Sequence, residues 1–371
     1  MINLEIFSML VFFSLVGIFL FKGRKCLEKH GIIFIRRWKR GLEFIDSLIK
    51  RHPKAVKVYG RIALVSGIIV MIGGFVGLLI CNVLGIKLFG FVLPTAGGYR
   101  YPGPIVGVPF WYWLIAIFII IFVHETSHGI LARLAKVKLK NYGIILLLLL
   151  PVGAFVEPDD KKLKRVSMVQ KMQIFAAGSF ANFITGLIFL GLGMLLASSV
   201  LISSIRPYVI EPYGVYFNGT MTGYPAHDAN LTGVIININN IPIKTTDNLS
   251  GLLNSTNPGT NISIITSMGN YSVITVPRPD SLAGSFIGIS YPITYYAYRQ
   301  WSAVVLQLFT WLVGLSIGVG IANLLPMKPF DGGLMLEEIS ARFLKKHARF
   351  IVIFFTILTI SLIVYNMFGI K

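Results

Sequence analysis

The sequence predicts a mainly α-helical membrane protein with six transmembrane helices and one small β-rich domain outside the membrane. Two observations support this fold class: 55% of the 371 residues are apolar and only 13% are charged, and the apolar residues are concentrated in long uncharged runs. A soluble domain carries about 25% charged residues, and a disordered chain contains fewer apolar residues than this one. We therefore expect most of the chain to lie in lipid.

Six uncharged runs are long enough to span the hydrocarbon core, which takes about 20 residues of α-helix. The first is short, but no basic segment precedes it and no cleavage site is evident, so we interpret it as a span and not as a signal peptide. A seventh run, residues 141–156, is broken by Pro151 and Gly153, which favours a re-entrant hairpin. The predicted spans are residues 6–21, 62–86, 108–123 continuing through the following histidines, 172–205, 300–327 and 350–370.

Basic residues are distributed unequally between the two sides of these spans. With the N-terminus outside, the cytoplasmic loops hold 27 of the 34 Lys and Arg residues and the outer segments hold seven. Because positively charged loops stay in the cytoplasm, we expect a multi-pass plasma-membrane protein whose N-terminus, residues 206–299 and C-terminus are extracytoplasmic. The net charge of +19 thus reflects membrane orientation, and no nucleic-acid partner is needed to explain it.

The Asn-x-Ser/Thr glycosylation pattern agrees with this orientation. It occurs six times, always within residues 206–299. A loop rich in Asn and Thr also produces the tripeptide by chance, so the pattern only supplements the charge distribution. The acceptor asparagines are Asn218, Asn230, Asn248, Asn254, Asn261 and Asn270.

The chain divides into four predicted parts. Residues 1–61 contain the first span and a basic cytoplasmic segment, in which apolar residues recur every three or four positions between residues 30 and 52. That spacing predicts an amphipathic helix that lies either on the anionic inner leaflet or on the other spans. Residues 62–205 and 300–371 form the transmembrane core, and residues 206–299 form the β-rich domain. Short strands are predicted at residues 223–231, 234–243, 261–265, 271–276 and 286–289.

The strongest chemical signal is His124-Glu-Thr-Ser-His128 at the end of the third span. Two histidines four residues apart lie on one face of a helix, so both imidazoles can reach one Zn²⁺ while Glu125 lies beside its bound water. Ionisable groups inside an apolar helix are costly and indicate a functional site by default. A catalytic zinc takes three protein ligands, so a third ligand is expected from elsewhere at the same depth, near the cytoplasmic face.

Asp331 is the candidate for the third ligand. It follows the fifth span in Asn323-Leu-Leu-Pro-Met-Lys-Pro-Phe-Asp331-Gly-Gly. The two prolines stop the helix and the two glycines allow a sharp turn. We expect an unwound segment to present Asp331 at the cytoplasmic end of the span, whereas an ordinary surface turn past a helix end is the alternative.

The two motifs together resemble the site-2 protease family of intramembrane zinc metalloproteases, and the resemblance extends over nearly the whole chain from the second span onward. It implies that His124, His128 and Asp331 bind Zn²⁺ and that Glu125 is the catalytic base. The implied activity is hydrolysis of peptide bonds within the transmembrane segments of protein substrates in the lipid bilayer.

The resemblance adds two candidate residues. Gly178-Ser-Phe-Ala-Asn182 matches a Gly-x-x-x-Asn signature of the family's middle span. The family's asparagines are thought to contact substrate or the oxyanion, which makes Asn182 and Asn323 candidates for that role. Interhelical hydrogen bonding is an equally good interpretation of both.

The resemblance also implies a role for the segments outside the spans. Residues 206–299 are similar to a PDZ domain, which would bind an extracytoplasmic peptide or only exclude bulky substrates. The hairpin around residues 144–155 would offer an edge strand to an unwound substrate. The alternative function is a proteolytically inactive zinc-binding receptor or scaffold whose PDZ-like domain binds partner peptides. A transporter that uses the buried ionisable residues is a weaker possibility, because no paired repeat of broken helices is apparent.

Overall fold

The computed structural model describes residues 4–22, 27–39, 41–96, 99–279 and 284–369, without the side chains of Leu4, Phe19 and Val152. The chain splits into two compact units, Met1–Gly193 with Leu308–Lys371, and Met194–Gln307. The helices are α1 Leu4–Lys22, α2 Leu42–Arg51, α3 Pro53–Val83, α4 Phe110–Leu134, α5 Asp160–Leu163, α6 Met168–Ser198, α7 Arg206–Val209, α8 Pro225–Asp228, α9 Thr246–Ser255, α10 Gln300–Leu324, α11 Asp331–Phe343 and α12 Ala348–Phe368. The strands are β1 Leu27–His30, β2 Ile33–Trp38, β3 Phe91–Thr95, β4 Ile105–Pro109, β5 Leu139–Leu147, β6 Leu150–Pro158, β7 Ile210–Tyr216, β8 Gly219–Thr220, β9 Ile235–Ile238, β10 Ile241–Pro242, β11 Asn261–Thr266, β12 Asn270–Ile274, β13 Val276–Pro277, β14 Ser285–Phe286, β15 Ile289–Ser290 and β16 Ile293–Tyr298.

Six helices in the described part of the chain are long and apolar enough to cross a membrane. They are α1, α3, α4, α6, α10 and α12, and they confirm the six predicted spans. Their outer surfaces are apolar: Ile62, Ile69 and Ile72 of α3 are each more than half exposed. Side chains of this kind favour lipid as their surroundings, and not water.

The first unit contains a four-stranded antiparallel sheet in the order β1-β2-β5-β6. Strands β5 and β6 form a hairpin that pairs from Leu139 with Pro158 to Leu147 with Leu150. This confirms the hairpin predicted at residues 141–156 and shows that it is a β-hairpin. Strand β6 lies at the edge of the sheet and packs against α4. The depth of the hairpin in the membrane stays a prediction.

The amphipathic helix predicted between residues 30 and 52 is confirmed only over α2. The earlier half is wrong, because Ile33–Trp38 is strand β2 and pairs with β5 along its whole length. A run of β-branched and aromatic residues favours a strand when a partner strand is available. Gly41, the N-cap residue of α2, has a φ of 95° and directly precedes the helix. Because Ile45 is fully buried in a cluster with Leu131, α2 packs on the protein through its apolar face.

The second unit is β-rich, as the sequence predicts. Its main sheet is antiparallel and has the order β12-β11-β9-β7-β16, with β10 paired to β9. The core lies on this sheet and includes Ile235, Ile238 and Ile264, which are fully buried. The strands predicted at residues 261–265 and 271–276 correspond to β11 and β12.

The second unit differs from the sequence interpretation in several details, and strands β7 and β16 of its main sheet were not predicted. Residues 223–231 contain the short helix α8 and no strand, because Pro225 occupies its first turn, where the fixed φ of proline suits a helix. Helix α9 was not predicted. Thr245 and Asn248 form a capping box at its start, and this Thr-x-x-Asn pattern is a signal that could have found it.

Candidate metal centre

Helix α4 carries three ionisable side chains in one turn. His124 and His128 lie on the same face, with ring centroids 4.6 Å apart, and His124 is buried. A buried imidazole requires polar partners. Single ligand atoms of His124, Glu125 and His128 lie within 4.8 Å of one another, a spacing that could hold a metal ion.

Asp331 joins this cluster from a distant part of the chain. Its Oδ2 lies 3.3 Å from Nε2 of His124 and 3.4 Å from Nε2 of His128. Within the described residues the buried Oδ2 has no hydrogen-bond partner, so these short separations lack hydrogen-bond geometry. In a tetrahedral zinc site with bonds of about 2.0–2.2 Å, ligand atoms lie about 3.3 Å apart. The separations of Oδ2 from the two histidine nitrogens therefore fit a zinc ion bound by all three residues.

Two glycines set the position of Asp331. The sequence interpretation placed this residue in an unwound segment, whereas it is the first residue of α11, after a non-helical stretch that follows Leu324. A Cβ on Gly332 would collide with the carbonyl of Leu324, and a Cβ on Gly333 would lie 2.5 Å from the backbone nitrogen of Lys328. Glycine thus allows the first turn of α11 to pack against the backbone of the interrupted segment.

Helix α6 contacts the other nitrogen of each histidine. Nδ1 of His128 lies 2.6 Å from the carbonyl oxygen of Ile174, and Nδ1 of His124 lies 3.1 Å from Nδ2 of Asn182. Between these contacts Gly178 leaves room for the rings, because a Cβ there would lie 2.6 Å from Nε2 of His124. The structure thus brings Asn182, which is fully buried, to the side-chain cluster of His124, His128 and Asp331.

Asn323, the other predicted asparagine, lies in the last turn of α10 and is half-buried. The contacts of the described residues do not join it to either histidine or to Asp331. A role for Asn323 in contacting substrate stays a prediction.

Glu125 contacts the β5–β6 hairpin. Its Oε2 accepts a hydrogen bond from the backbone N–H of Val156 in β6, at 3.2 Å. Glu125 also lines an apolar cavity of about 110 Å³ between α4 and the hairpin. Tyr142, which pairs with Val156 across the hairpin, lines the same cavity. The carboxylate therefore borders both the candidate metal ligands and a small apolar space, where it can exchange a proton with a bound reactant.

Sequence reasoning missed two parts of the centre. The carbonyl of Ile174 carries no sequence signal, because every residue has a carbonyl. The second part is a hydroxyl network: Ser127 donates to the carbonyl of Ala177 at 2.9 Å and lies 2.5 Å from the hydroxyl of Tyr59. It joins α3, α4 and α6 beside the histidines. The place of Ser127 inside the two-histidine motif is a signal that could have found it.

Comparison with known proteins agrees with this geometry. Residues 112–364 match peptidase family M50, a range that contains α4, α6 and Asp331. An uncharacterized protein of Methanocaldococcus jannaschii is 28% identical over 358 residues, which cover 91% of this chain and 89% of that protein. The chain is therefore a multi-pass membrane protein that belongs to peptidase family M50, the site-2 protease family of metalloproteases.

Proposed function

We propose that the protein is an intramembrane zinc metalloprotease that hydrolyses peptide bonds within transmembrane segments of other proteins, near the cytoplasmic face, in regulated intramembrane proteolysis. The observation that carries this proposal is the approach of Asp331 Oδ2 to Nε2 of both His124 and His128. Membership of a metalloprotease family supports protease activity. Three protein ligands also leave the fourth position of zinc open, as in catalytic zinc sites.

His124, His128 and Asp331 would hold the zinc, and Glu125 would transfer the proton. Zinc bound there would supply a Lewis acid that polarises the scissile carbonyl and lowers the pKa of water. Glu125 takes a proton from the attacking water and passes it to the leaving amine nitrogen. The N–H of Val156, 3.2 Å from Oε2, orients the carboxylate during this transfer.

The hairpin supplies a surface for an unwound substrate. Peptide bonds inside a helix are hidden by hydrogen bonds, so the substrate must unwind before it reacts. Strand β6 is at the edge of its sheet, and an edge strand presents unpaired backbone groups to an extended peptide. The apolar cavity beside Glu125 would receive a side chain of that peptide, and Asn323 stays a candidate for a contact with the substrate or the oxyanion.

The proposed topology places the N-terminus, residues 206–299 and the C-terminus outside the plasma membrane. The excess of basic residues on one side of the spans supports this orientation. Residues 206–299, which lie within the unit Met194–Gln307, would serve as a PDZ-like domain for the extracytoplasmic part of a substrate. Its antiparallel sheet, with edge strands β12 and β16, is compatible with peptide addition at an edge, and a filter against bulky ectodomains is the simpler role.

The variant Glu125→Gln tests the mechanism. Wild type and variant are purified in detergent, their zinc content is measured, and both are incubated with a single-span model substrate. We expect both to hold one zinc, and the variant to lose cleavage by at least about 100-fold, the usual contribution of a proton-transfer residue. Glu337→Gln is the matched control, because that side chain is 47% exposed and pairs with Lys328.

The possible results separate the candidate functions. If wild type fails to cleave, or Glu125→Gln cleaves as well as wild type, the proposed mechanism is wrong. If wild type holds zinc but cleaves no substrate, the zinc-binding receptor or scaffold becomes the better explanation. If wild type holds no zinc, the proposed metal site itself is wrong.

A further inference from the structure

Helix α6 contacts both histidines of α4 through the ring nitrogen that does not face Asp331. Each imidazole turns its Nε2 toward Asp331 Oδ2 and its Nδ1 toward α6. The partner on α6 is a carbonyl for His128 and the side-chain amide of Asn182 for His124. The two supports therefore differ in chemistry: a backbone carbonyl can only accept a hydrogen bond, whereas a side-chain amide offers both a donor and an acceptor.

A histidine that binds metal through Nε2 is neutral and carries its proton on Nδ1. The Ile174 carbonyl satisfies this requirement for His128. For His124, the group opposite Nδ1–H must be the acceptor Oδ1 of Asn182. This oxygen is buried and has no hydrogen-bond partner within the described residues, so it is available. Rotation of the side-chain amide by about 180° exchanges Oδ1 and Nδ2, which are nearly equal in size, and places Oδ1 opposite Nδ1 of His124.

We propose that Asn182 is a positioning residue for the metal site: Oδ1 accepts a hydrogen bond from Nδ1–H of His124 and so fixes the tautomer and ring orientation that direct Nε2 to zinc. This assignment rests on the proposed zinc site and departs from the substrate or oxyanion role suggested by family resemblance. Two observations separate these roles. Asn182 is fully buried, and it contacts Nδ1 of His124, whereas Asp331 approaches Nε2. The imidazole ring thus lies between Asn182 and the reacting atoms.

The measurement is zinc affinity of the full-length protein in detergent, determined by competition with a chelator, for wild type and three variants. Asn182→Leu keeps the approximate size of the side chain but has no acceptor, and we expect zinc affinity to fall about 10-fold to 100-fold, as for other partners of metal-binding histidines. Asn182→Asp retains an acceptor and is expected to keep near wild-type affinity. Asn323→Ala removes the asparagine that does not contact His124, and zinc affinity should not change.

The outcomes distinguish this proposal from the proposed function. If wild type binds no zinc, the metal site fails, and the role of Asn182 fails with it. If wild type binds zinc and Asn182→Leu binds it equally well, the positioning role is wrong while the protease proposal stands. Loss of cleavage with unchanged zinc affinity would assign Asn182 to the oxyanion instead. Should Asn182→Leu fail to fold, the comparison of Asn182→Ala with Asn182→Asp decides, because only the second retains an acceptor.

Discussion

The backbone of Gly178 lies directly against the imidazole of His124. A Cβ built on Gly178 would stand 2.6 Å from Nε2 and 2.7 Å from Cδ2 of that ring, and it would also collide with Nε2 of His128. Nothing larger than hydrogen fits at this position unless α4 and α6 separate. The close approach is therefore a requirement of the candidate metal centre as well as of helix packing.

We predict that Gly178→Ala abolishes high-affinity zinc binding and cleavage while the protein remains folded in the membrane. The added methyl group would displace the two ring nitrogens that face Asp331. Gly191→Ala is the control on the same helix, since a Cβ there meets nothing within 4 Å. Zinc content measured on both purified variants decides the matter, and a zinc-loaded Gly178→Ala protein would contradict the described packing.

A second prediction concerns the ion pair of Lys171 and Glu338, which joins α6 to α11. Nζ lies 2.9 Å and 3.1 Å from the two carboxylate oxygens, and the side chains are only 17% and 24% exposed. Glu338→Ala should lower the free energy of unfolding by about 1.5–3 kcal/mol, the range for hydrogen bonds to charged groups. Because α11 begins at Asp331, zinc affinity should fall as well.

Glu337, the residue beside Glu338, provides the control when the free energy of unfolding is measured by denaturation. Glu337 pairs with Lys328 at 2.6 Å, but the two side chains are 47% and 40% exposed. Solvent screening limits an exposed pair to about 0–1 kcal/mol, so Glu337→Ala should leave the denaturation midpoint nearly unchanged. Equal losses of unfolding free energy in Glu338→Ala and Glu337→Ala would show that the buried pair has no special role in placing α11.

How far the sequence could predict the centre depends on the range of each interaction. The His124–His128 pair is local to one helix, and the turn residues around Asp331 are local to one chain reversal, so both are visible in the sequence. The partners of Nδ1 are not local. The Ile174 carbonyl and the Asn182 side chain meet the histidines only through the packing of α4 on α6, which no spacing rule supplies.

The fold likewise has features that follow from the local sequence and features that depend on tertiary contacts. The six spans follow from the length of apolar runs, which is a one-dimensional property. Residues 33–38 also satisfy the periodicity of a helix, but the exposed edge of β5 provides hydrogen-bond partners, and pairing from Ile33 with Leu147 to Trp38 with Tyr142 makes this segment a strand. Tertiary context overrides local periodicity where a partner strand is near.

A third prediction concerns pH. Arg133 donates from Nε to Oδ1 of Asp46 at 2.7 Å, and this hydrogen bonding lowers the pKa of the Asp46 carboxyl below its usual value. A lowered pKa stabilises the folded protein above the unfolded value of about 3.9, and this contribution is lost as the pH falls through the folded pKa. Asp46→Asn should therefore be less stable than wild type at pH 7, and the difference should shrink below about pH 4.

Thermal denaturation across pH checks this prediction. Glu43→Gln, an exposed residue of the same helix, is the matched control and should follow wild type at every pH. An Asp46→Asn protein whose deficit stays constant down to pH 3 would show that the contact acts through packing and not through charge.

A fourth prediction addresses topology. The six sequon asparagines are all exposed, so each can be reached by a modifying enzyme if residues 206–299 are extracytoplasmic. A short epitope inserted at Asn230 should be reached only from outside intact cells, and one inserted at Lys161 only after permeabilisation. Access to Asn230 from the cytoplasmic side would overturn the proposed orientation.

The last prediction tests the hairpin as a substrate surface. Gly143 in β5 and Gly153 in β6 both line the cavity beside Glu125, but their surroundings differ. A Cβ on Gly143 would collide with the ring of Phe155, whereas one on Gly153 would lie 3.6 Å from the nearest atom of Ile145. Gly143→Ala should therefore displace β6 beside Val156, whose N–H orients Glu125.

Cleavage of the model substrate by Gly143→Ala should fall about 10-fold to 100-fold, as expected when a reacting group moves by about 1 Å, while zinc content is retained because the ligands lie on α4 and α11. Gly153→Ala should cleave like wild type, since an added methyl group there meets only ordinary van der Waals contact. Loss of zinc from Gly143→Ala would instead tie the hairpin to the metal ligands. Equal cleavage by both variants would remove the hairpin from the mechanism, because the hydrogen bond from Val156 to Glu125 would then have no effect on the reaction.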